Sequence, residues 1–267
     1  MKLIGIDVDG TLVGASGLVP EAVWQAADRA RAAGIHLVLC SGRAAFGAAL
    51  DYARRLDPAG WHAFQNGASV LDLASGHSRS VHLPDASLRR LITQARRTGE
   101  ILELYGDREY AIESTAQRAR EHAALLGVPF NARPFESLGG EIVRGQWLVE
   151  LSGAEKFLQD TDPELEVAVS SSPLMPDTAF VGMTRAGVSK GSAMRAIAAE
   201  YGVDLRDTMY VGDADNDLPA LKVVGHPLAM GNASPAVLAV ATTVVGHVDA
   251  GGLAEALQWA IDRAIPD

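Results

Sequence analysis

Two aspartates two positions apart, Asp7 and Asp9, close the apolar run KLIGI at residues 2–6 and lead into Gly10 and Thr11. A buried strand ending in paired carboxylates and a turn presents them at its carboxyl end. A second acidic group, GDADND at residues 212–217, follows the apolar run MYV and contains Asp213, Asp215 and Asp217. Ser41 follows the strand-like IHLVLC, and Lys190 stands in SKGSAM immediately before a helical stretch. Taken singly, each has a plain structural explanation: strand-end solvation or a turn for the aspartates, a helix cap for the serine, a solvated surface position for the lysine. Taken together they make a set suited to phosphoryl transfer. Carboxylates at two strand ends form a hard oxygen site for octahedral Mg2+, and the histidines have no zinc-ligand spacing. A hydroxyl, an ammonium and free helix amides are the donors a phosphate needs. Asp7 can then attack phosphorus as a covalent nucleophile, while Asp9 can protonate the leaving oxygen and later activate water.

Those residues lie in four separate segments, so the fold must gather strand ends. Residues 20–33 are compatible with a helix stopped by Gly34, IHLVLC at 35–40 reads as a second strand, and AAFGAALDYARRL reads as a helix. The Asn66-Gly67 pair signals a tight turn, and the segment after it is expected to form a short hairpin with HSRSVHL. From Pro84 to Met183 the pattern changes: a helix at SLRRLITQARRTG, strand-like ILELYG and EYAIES, another helical stretch, then strand-like WLVELS, KFLQDT, ELEVAVSS and AFVGMT. Beyond it, GVSKGSAMRAIAAEYG opens a helix, TMYVGDADND repeats the strand-then-acid pattern, and VVGHPLAMGNA reads as a strand and turn. The expected fold class is α/β, a doubly wound parallel-sheet core at residues 1–83 and 184–267 with an inserted α+β unit at 84–183.

The chain has 267 residues and a formal net charge of -10, from 33 acidic and 23 basic residues. That field opposes nucleic acid and anionic membranes, and also an anionic substrate, so a phosphate site needs local positive charge of its own. Lys190, a metal ion and helix termini answer that need. Cys40 is the single cysteine, which excludes an intrachain disulfide and a cysteine-rich metal site, and it reads as an inert core residue. No run is long and apolar enough for a signal peptide or membrane span, which suggests a cytoplasmic protein. GVSKG is not the GxxxxGK[ST] phosphate loop and DVDGT is not GxGxxG, so no nucleotide cofactor is expected. His226 and His247 read as turn or loop residues, and Arg43 is divided between phosphate steering or cap bracing and an exposed salt bridge. Arg108, Arg133, Arg144, Lys156, Tyr105 and Trp147 read as surface or core structure of the insertion rather than as a substrate site.

Through DVDGT at 7–11, LCSGR at 39–43, GVSKG at 187–191, GDADND at 212–217 and MGNA at 230–233, the chain resembles the haloacid dehalogenase-like phosphatases, particularly the Cof-like sugar-phosphatase branch with a type IIB cap. The resemblance spans nearly the whole chain. It implies that Asp7 is the nucleophile, Asp9 the acid/base, Ser41 and Lys190 the phosphate-binding pair, and Asp213 a carboxylate metal ligand. It further implies a backbone-carbonyl metal contact from Asp9, support of the metal by Asp217 outside its direct ligands, and a loop-ordering role for Asn216, while Thr11, by its residue type alone, reads either as bonding within the active-site loop or as a local structural turn. Residues 84–183 would be a substrate-specificity cap that moves when substrate enters. The expected activity is Mg2+-dependent hydrolysis of small phosphomonoesters, foremost sugar phosphates, by a monomer or small homo-oligomer. The alternatives are a phosphosugar mutase and a non-catalytic phosphometabolite-binding regulator.

Overall fold

A computed structural model describes residues 1–158, 162–172 and 174–264 of the chain. The first apolar run forms β1 (Leu3–Ile6), wholly buried. Helix α1 (Glu21–Ala32) buries Val23, Ala26, Ala27 and Ala30 on one face, at the three- and four-residue spacing that a helix requires. Next come β2 (His36–Leu39), α2 (Gly47–Leu56), and the antiparallel pair β3 (Trp61–Phe64) and β4 (Ser69–Asp72). The middle of the chain supplies α3 (Asp85–Thr98), β5 (Ile101–Tyr105), β6 (Tyr110–Ile112), α4 (Gln117–Leu126), β7 (Arg144–Glu150), α5 (Glu155–Leu158), β8 (Leu165–Ser172) and β9 (Met175–Arg185). The last third supplies α6 (Lys190–Glu200), β10 (Thr208–Gly212), α7 (Leu218–Leu221), β11 (His226–Ala229), α8 (Pro235–Val240), β12 (Thr243–Val244) and α9 (Gly252–Ile261).

The chain divides into two compact units: Met1–Arg43 with Ala49–Arg79 and Ser189–Asp267, and Ala44–Ala48 with Ser80–Val188. In the first, five parallel strands run in the order β12-β11-β10-β1-β2. Helices α6, α7 and α8 bury Met194, Ile197, Leu221 and Val237 in a cluster with Leu3, Val38 and Tyr210, and α1 packs beside α9 in a separate layer. This is the doubly wound α/β arrangement expected from the alternating pattern. From β1 the chain steps one way to β2; after the insertion it steps the other way through β10, β11 and β12. The carboxyl ends of β1 and β10 therefore flank the point where strand order reverses, where an open parallel sheet leaves a crevice for ligands.

The second unit is a separate antiparallel sheet in the order β6-β5-β7-β9-β8. Leu91 and Ala95 of α3 and Phe157 of α5 join Leu104, Trp147 and Val181 in one core, while Ala119 of α4 joins Ile101, Leu148 and Phe180 in another. Glu103 on β5 is fully buried, where an unpaired carboxylate would be costly. It accepts hydrogen bonds from Tyr105 Oη at 2.5 Å and Gln146 Nε2 at 3.2 Å, and its other oxygen meets His122 Nδ1 of α4 at 2.9 Å. The Glu103→Ala variant leaves three buried polar groups without this acceptor and should lose about 3 kcal/mol of stability. Urea unfolding is the measurement, and Glu103→Gln, which keeps one acceptor oxygen, should lose less. An unchanged midpoint in the alanine variant would show that the network contributes nothing.

One local expectation is extended and two change. The segment after Asn66-Gly67 forms the expected short hairpin with HSRSVHL, through the antiparallel Leu71↔Ser78 bridge, the Asp72 amide on His77 O and the Arg79 amide on Val70 O, each at 2.9 Å, and it also pairs with β3 on its other side, register Trp61↔Asp72 to Phe64↔Ser69. Lys156, Phe157 and Leu158 of KFLQDT lie in the helix α5 rather than in a strand, with the Phe157 ring tilted against Trp147 at 5.4 Å between centroids, and residues 159–161 fall outside the described residues. Its apolar pair looked like strand alternation because a four-residue helix is too short to display a helical period. The AAFGAALDYARRL helix begins only at Gly47, because Phe46 is drawn onto the rings of Tyr105 (6.4 Å) and Tyr110 (5.9 Å). The second unit also reaches beyond residues 84–183 because β9 continues to Arg185 and the Leu83 amide donates to Ile142.

Candidate active site

Pairing of Ile6 with Val211 and with Leu39 leaves Asp7 at the end of β1, between the ends of β10 and β2. Its amide donates to Val211 O at 3.1 Å, and its side chain is buried. Asp213 follows β10 directly. Lys190 is not ahead of a helix but is the first residue of α6, whose cap is a reciprocal pair: Ser189 Oγ accepts from the Ser192 amide and Ser192 Oγ from the Ser189 amide. That cap aims a lysine of 1% exposure between two carboxylates. Nζ donates to Asp7 Oδ1 at 2.5 Å and to Asp217 Oδ1 at 2.7 Å.

Asp217 is saturated. Besides Lys190, its Oδ1 accepts from Tyr210 Oη at 2.7 Å, and its Oδ2 accepts from the amides of Asp213 and Ala214, each at 3.0 Å. These bonds hold the GDADND loop in a turn and carry Asp213 toward Asp7. Thr11 Oγ1 donates to Asp213 Oδ1 at 2.9 Å, joining the loop after β1 to the loop after β10. Gly10, at φ +88°, makes this possible: a Cβ there would sit 2.1 Å from Asp213 Oδ2. Asp7, Asp213 and Asp217 each present a carboxylate oxygen within 4.8 Å of the others. The three hard oxygen donors suit a divalent cation, and with Asp217 committed to four hydrogen bonds, Asp7 and Asp213 are the two that could offer it oxygens.

The electrostatics follow from three carboxylates around one ammonium. Burial, and next the Asp217 charge, push the Asp7 carboxyl well above the usual carboxylate range, against the pull of Lys190. Burial likewise raises Asp213, to about 6, with the Thr11 bond opposing. Burial disfavours the Lys190 charge, but Asp7 and Asp217 outweigh it and hold its pKa above the usual lysine value. One ammonium does not neutralise three carboxylates, Asp7 and Asp217 buried and Asp213 half-buried, and a divalent cation would supply the missing charge.

Ser41 follows Cys40 just beyond β2, and Asp9 lies two residues beyond Asp7. The buried Ser41 has its amide on Ala63 O at 2.9 Å, its carbonyl on the Asn66 amide at 2.9 Å, and its Oγ on the Arg43 amide at 3.0 Å. Asp9 is largely exposed and is gripped by Arg43, with Nε to Oδ2 at 3.0 Å and Nη2 to Oδ1 at 2.5 Å. Asn216 reaches Asn66 Oδ1 at 3.1 Å rather than the carboxylates. Asp215 lies apart, accepting from Ser234 Oγ at 2.7 Å. Cys40 is buried against Met194, with its thiol pushed far up by burial. His247 accepts from the Asp249 amide at 3.2 Å, and His226 packs against the Trp259 ring.

Sequence reasoning missed Tyr210, Asn66 and Asn232. Tyr210 lies in an apolar strand, and nothing in MYV signals that its hydroxyl reaches Asp217. Asn66 adopts φ +56° in the β3–β4 turn, a conformation its Asn-Gly context does signal. Gly67 beside it, at φ +97°, has room for no side chain, since a Cβ would lie 2.3 Å from Ser189 O. Asn232, within the MGNA motif, ties Gly10 O (2.8 Å) to the Val248 amide (2.9 Å) and so braces the Asp9–Gly10 turn.

A family model described as haloacid dehalogenase-like hydrolase matches residues 4–257. A Streptococcus pyogenes protein bearing a provisional phosphatase name is 27% identical over 272 residues, covering 98% of this chain and 99% of its own. The 5-amino-6-(5-phospho-D-ribitylamino)uracil phosphatase of Bacillus subtilis is 26% identical over 281 residues, covering 95% and 96%. Among solved structures, a haloalkanoate-superfamily phosphatase from Bacteroides thetaiotaomicron superposes with a TM-score of 0.77 at 26% identity, covering 97% and 95%. No helix among the described residues is long and apolar enough to cross a membrane.

Proposed function

We propose that this chain, which belongs to the haloacid dehalogenase-like hydrolase family and is a phosphatase, hydrolyses small phosphomonoesters of the sugar-phosphate class with Mg2+, through a phosphoaspartate on Asp7. The observation that carries the reading is Lys190 bonded to both Asp7 and Asp217 where strand order reverses, with Asp213 within ligand distance. A structural ion pair alone would need only one carboxylate. The ribityl phosphate of the Bacillus subtilis relative's substrate is a phosphorylated polyol, chemically close to a sugar phosphate, and supports that substrate class.

In this mechanism an Asp7 carboxylate oxygen forms a bond to phosphorus as the bond to the leaving alkoxide breaks. Lys190 and Ser41 hold the transferring oxygens, and Asp9 gives its proton to the leaving oxygen. Asp9 then takes a proton from water as the water oxygen attacks phosphorus, which releases inorganic phosphate and restores Asp7. Asp7, Asp213 and the Asp9 carbonyl would hold the Mg2+ ion, which would supply the positive charge that lets an anionic phosphate approach an anionic nucleophile. Asp217 contributes by fixing Lys190 and the Asp213 loop.

A panel of sugar phosphates, pyridoxal phosphate, flavin mononucleotide and other phosphomonoesters tests the reading by phosphate release. Turnover of at least one sugar phosphate is expected, with loss of about 10³-fold or more on chelation and recovery with added Mg2+. Phosphosugar isomers formed without free phosphate would replace hydrolysis by a mutase reaction. Phosphate release that ignores chelation would remove the metal from the mechanism.

A further inference from the structure

Arg43 makes a two-pronged contact that the mechanism above does not use. Its guanidinium binds both oxygens of Asp9, at 3.0 and 2.5 Å, in the parallel geometry only arginine offers a carboxylate. The pair lies between half-exposed side chains, where an ion pair adds about 0–1 kcal/mol to stability. Yet Arg43 is set in place by an ordered loop. Its amide donates to Ser41 Oγ at 3.0 Å, its carbonyl accepts from the Gln65 amide at 2.9 Å, and the next amide, Asn66, binds Ser41 O at 2.9 Å. The β2 loop that carries the proposed phosphate-binding serine thus also carries the clamp on the proposed acid/base. Asp9 itself has few other restraints, being the most exposed of the proposed catalytic side chains on a turn through Gly10.

Resting on the phosphatase reading, we propose that Arg43 is a positioning residue: its guanidinium fork restrains the resting Asp9 carboxylate to one orientation, and once Oδ1 is released from Nη2 and takes a proton from solvent, the remaining Nε–Oδ2 bond keeps that orientation and thereby sets how efficiently Asp9 passes the proton to the leaving oxygen of an unactivated ester. Orientation of this kind matters only where the leaving group needs a proton. A nitrophenolate departs without one; an alkoxide does not. The fork, rather than the charge, does the positioning, so a lysine replaces it poorly.

The test compares wild type, Arg43→Met, Arg43→Lys and Asp9→Asn on the best alkyl phosphate of the panel and on 4-nitrophenyl phosphate, with thermal melting as a check on folding. Arg43→Met should lower kcat on the alkyl ester by about 10- to 100-fold and on the aryl ester by far less. Arg43→Lys should fall close to the methionine variant, the melting temperatures should stay within a few degrees, and combining Arg43→Met with Asp9→Asn should add little to Asp9→Asn alone. Equal losses on both esters, full rescue by lysine, additive double-variant losses, or no loss on either ester would each overturn the positioning role while wild-type turnover keeps the phosphatase reading intact. Asp9→Asn as active as wild type on the alkyl ester would instead strike at the proposed acid/base, and a wild type inert on both esters at the phosphatase reading itself.

Discussion

Asp7→Asn should reduce kcat by about 10⁴-fold or more and abolish any trappable acyl phosphate, because the substitution keeps the size of the side chain and removes its nucleophilic oxygen. Asp7 is buried at the end of β1 with its Oδ1 on Lys190. An amide there still occupies the space and its oxygen still accepts from the ammonium, but it carries no negative charge, so in the folded variant Asp217 is the remaining charged partner of Lys190. Rapid quenching of wild type during turnover, followed by borohydride reduction and peptide mass spectrometry, should convert residue 7 to homoserine. Asp9→Asn should slow both leaving-group departure and hydrolysis, and with an activated ester it should let the intermediate accumulate rather than vanish. Repeated failure to find homoserine during demonstrable turnover, with a positive control for trapping, would assign the first attack to water instead.

Lys190→Met should be the most damaging change to the ligand-free fold as well as a strong lesion in catalysis. It leaves Asp7 and Asp217 buried without their shared ammonium, an uncompensated arrangement that costs about 3–5 kcal/mol. Loss of a charged donor to the transferring phosphoryl group should lower kcat/KM by about 10²- to 10³-fold. The pH dependence has a definite sign. Lys190 has a folded pKa above its unfolded value of about 10.4, so its contribution is fully present below that value and is lost as pH rises through the folded pKa. Asp7 and Asp213 are raised by burial, Asp213 to about 6, so folding disfavours their ionised forms, and metal-free stability falls as pH climbs from about 4 through their folded values. Without Lys190 that fall should steepen: urea unfolding at pH 5 and 7.5 in the presence of chelator should show the variant recovering part of its deficit at the lower pH. An equal deficit at both values would mean that the lost stability comes from packing of the lysine stem rather than from its charge.

Much of this site is legible from residue order. Asp7, Asp213 and Ser41 are each announced by an apolar strand that breaks into polar residues, and a parallel sheet places such breaks on one edge. Lys190 is announced by its place at the start of a helix after Gly187. Strand periodicity is local, so β1, β2, β10 and β11 could be drawn from short runs. The pairing of β4 with β3 and the helical conformation of residues 156–158 could not, because pairing is chosen by residues elsewhere in the chain and a short apolar run fits either period.

The sequence by itself determined that this is an alternating α/β chain with an interruption and that carboxylates, a serine and a lysine end its strands and open a helix. Those are properties of nearest neighbours and of hydrophobic period. Only the tertiary structure decided how the charges are shared: that Asp217 gives its oxygens to Lys190, Tyr210 and two amides, that Thr11 binds Asp213, and that Arg43 binds Asp9. Partners separated by 27 to 202 residues, as in Lys190–Asp217 and Thr11–Asp213, meet because the strand order reverses between β1 and β10. A buried carboxylate must then be matched by whatever donors that reversal brings within about 3 Å, and chain order alone does not encode this distance.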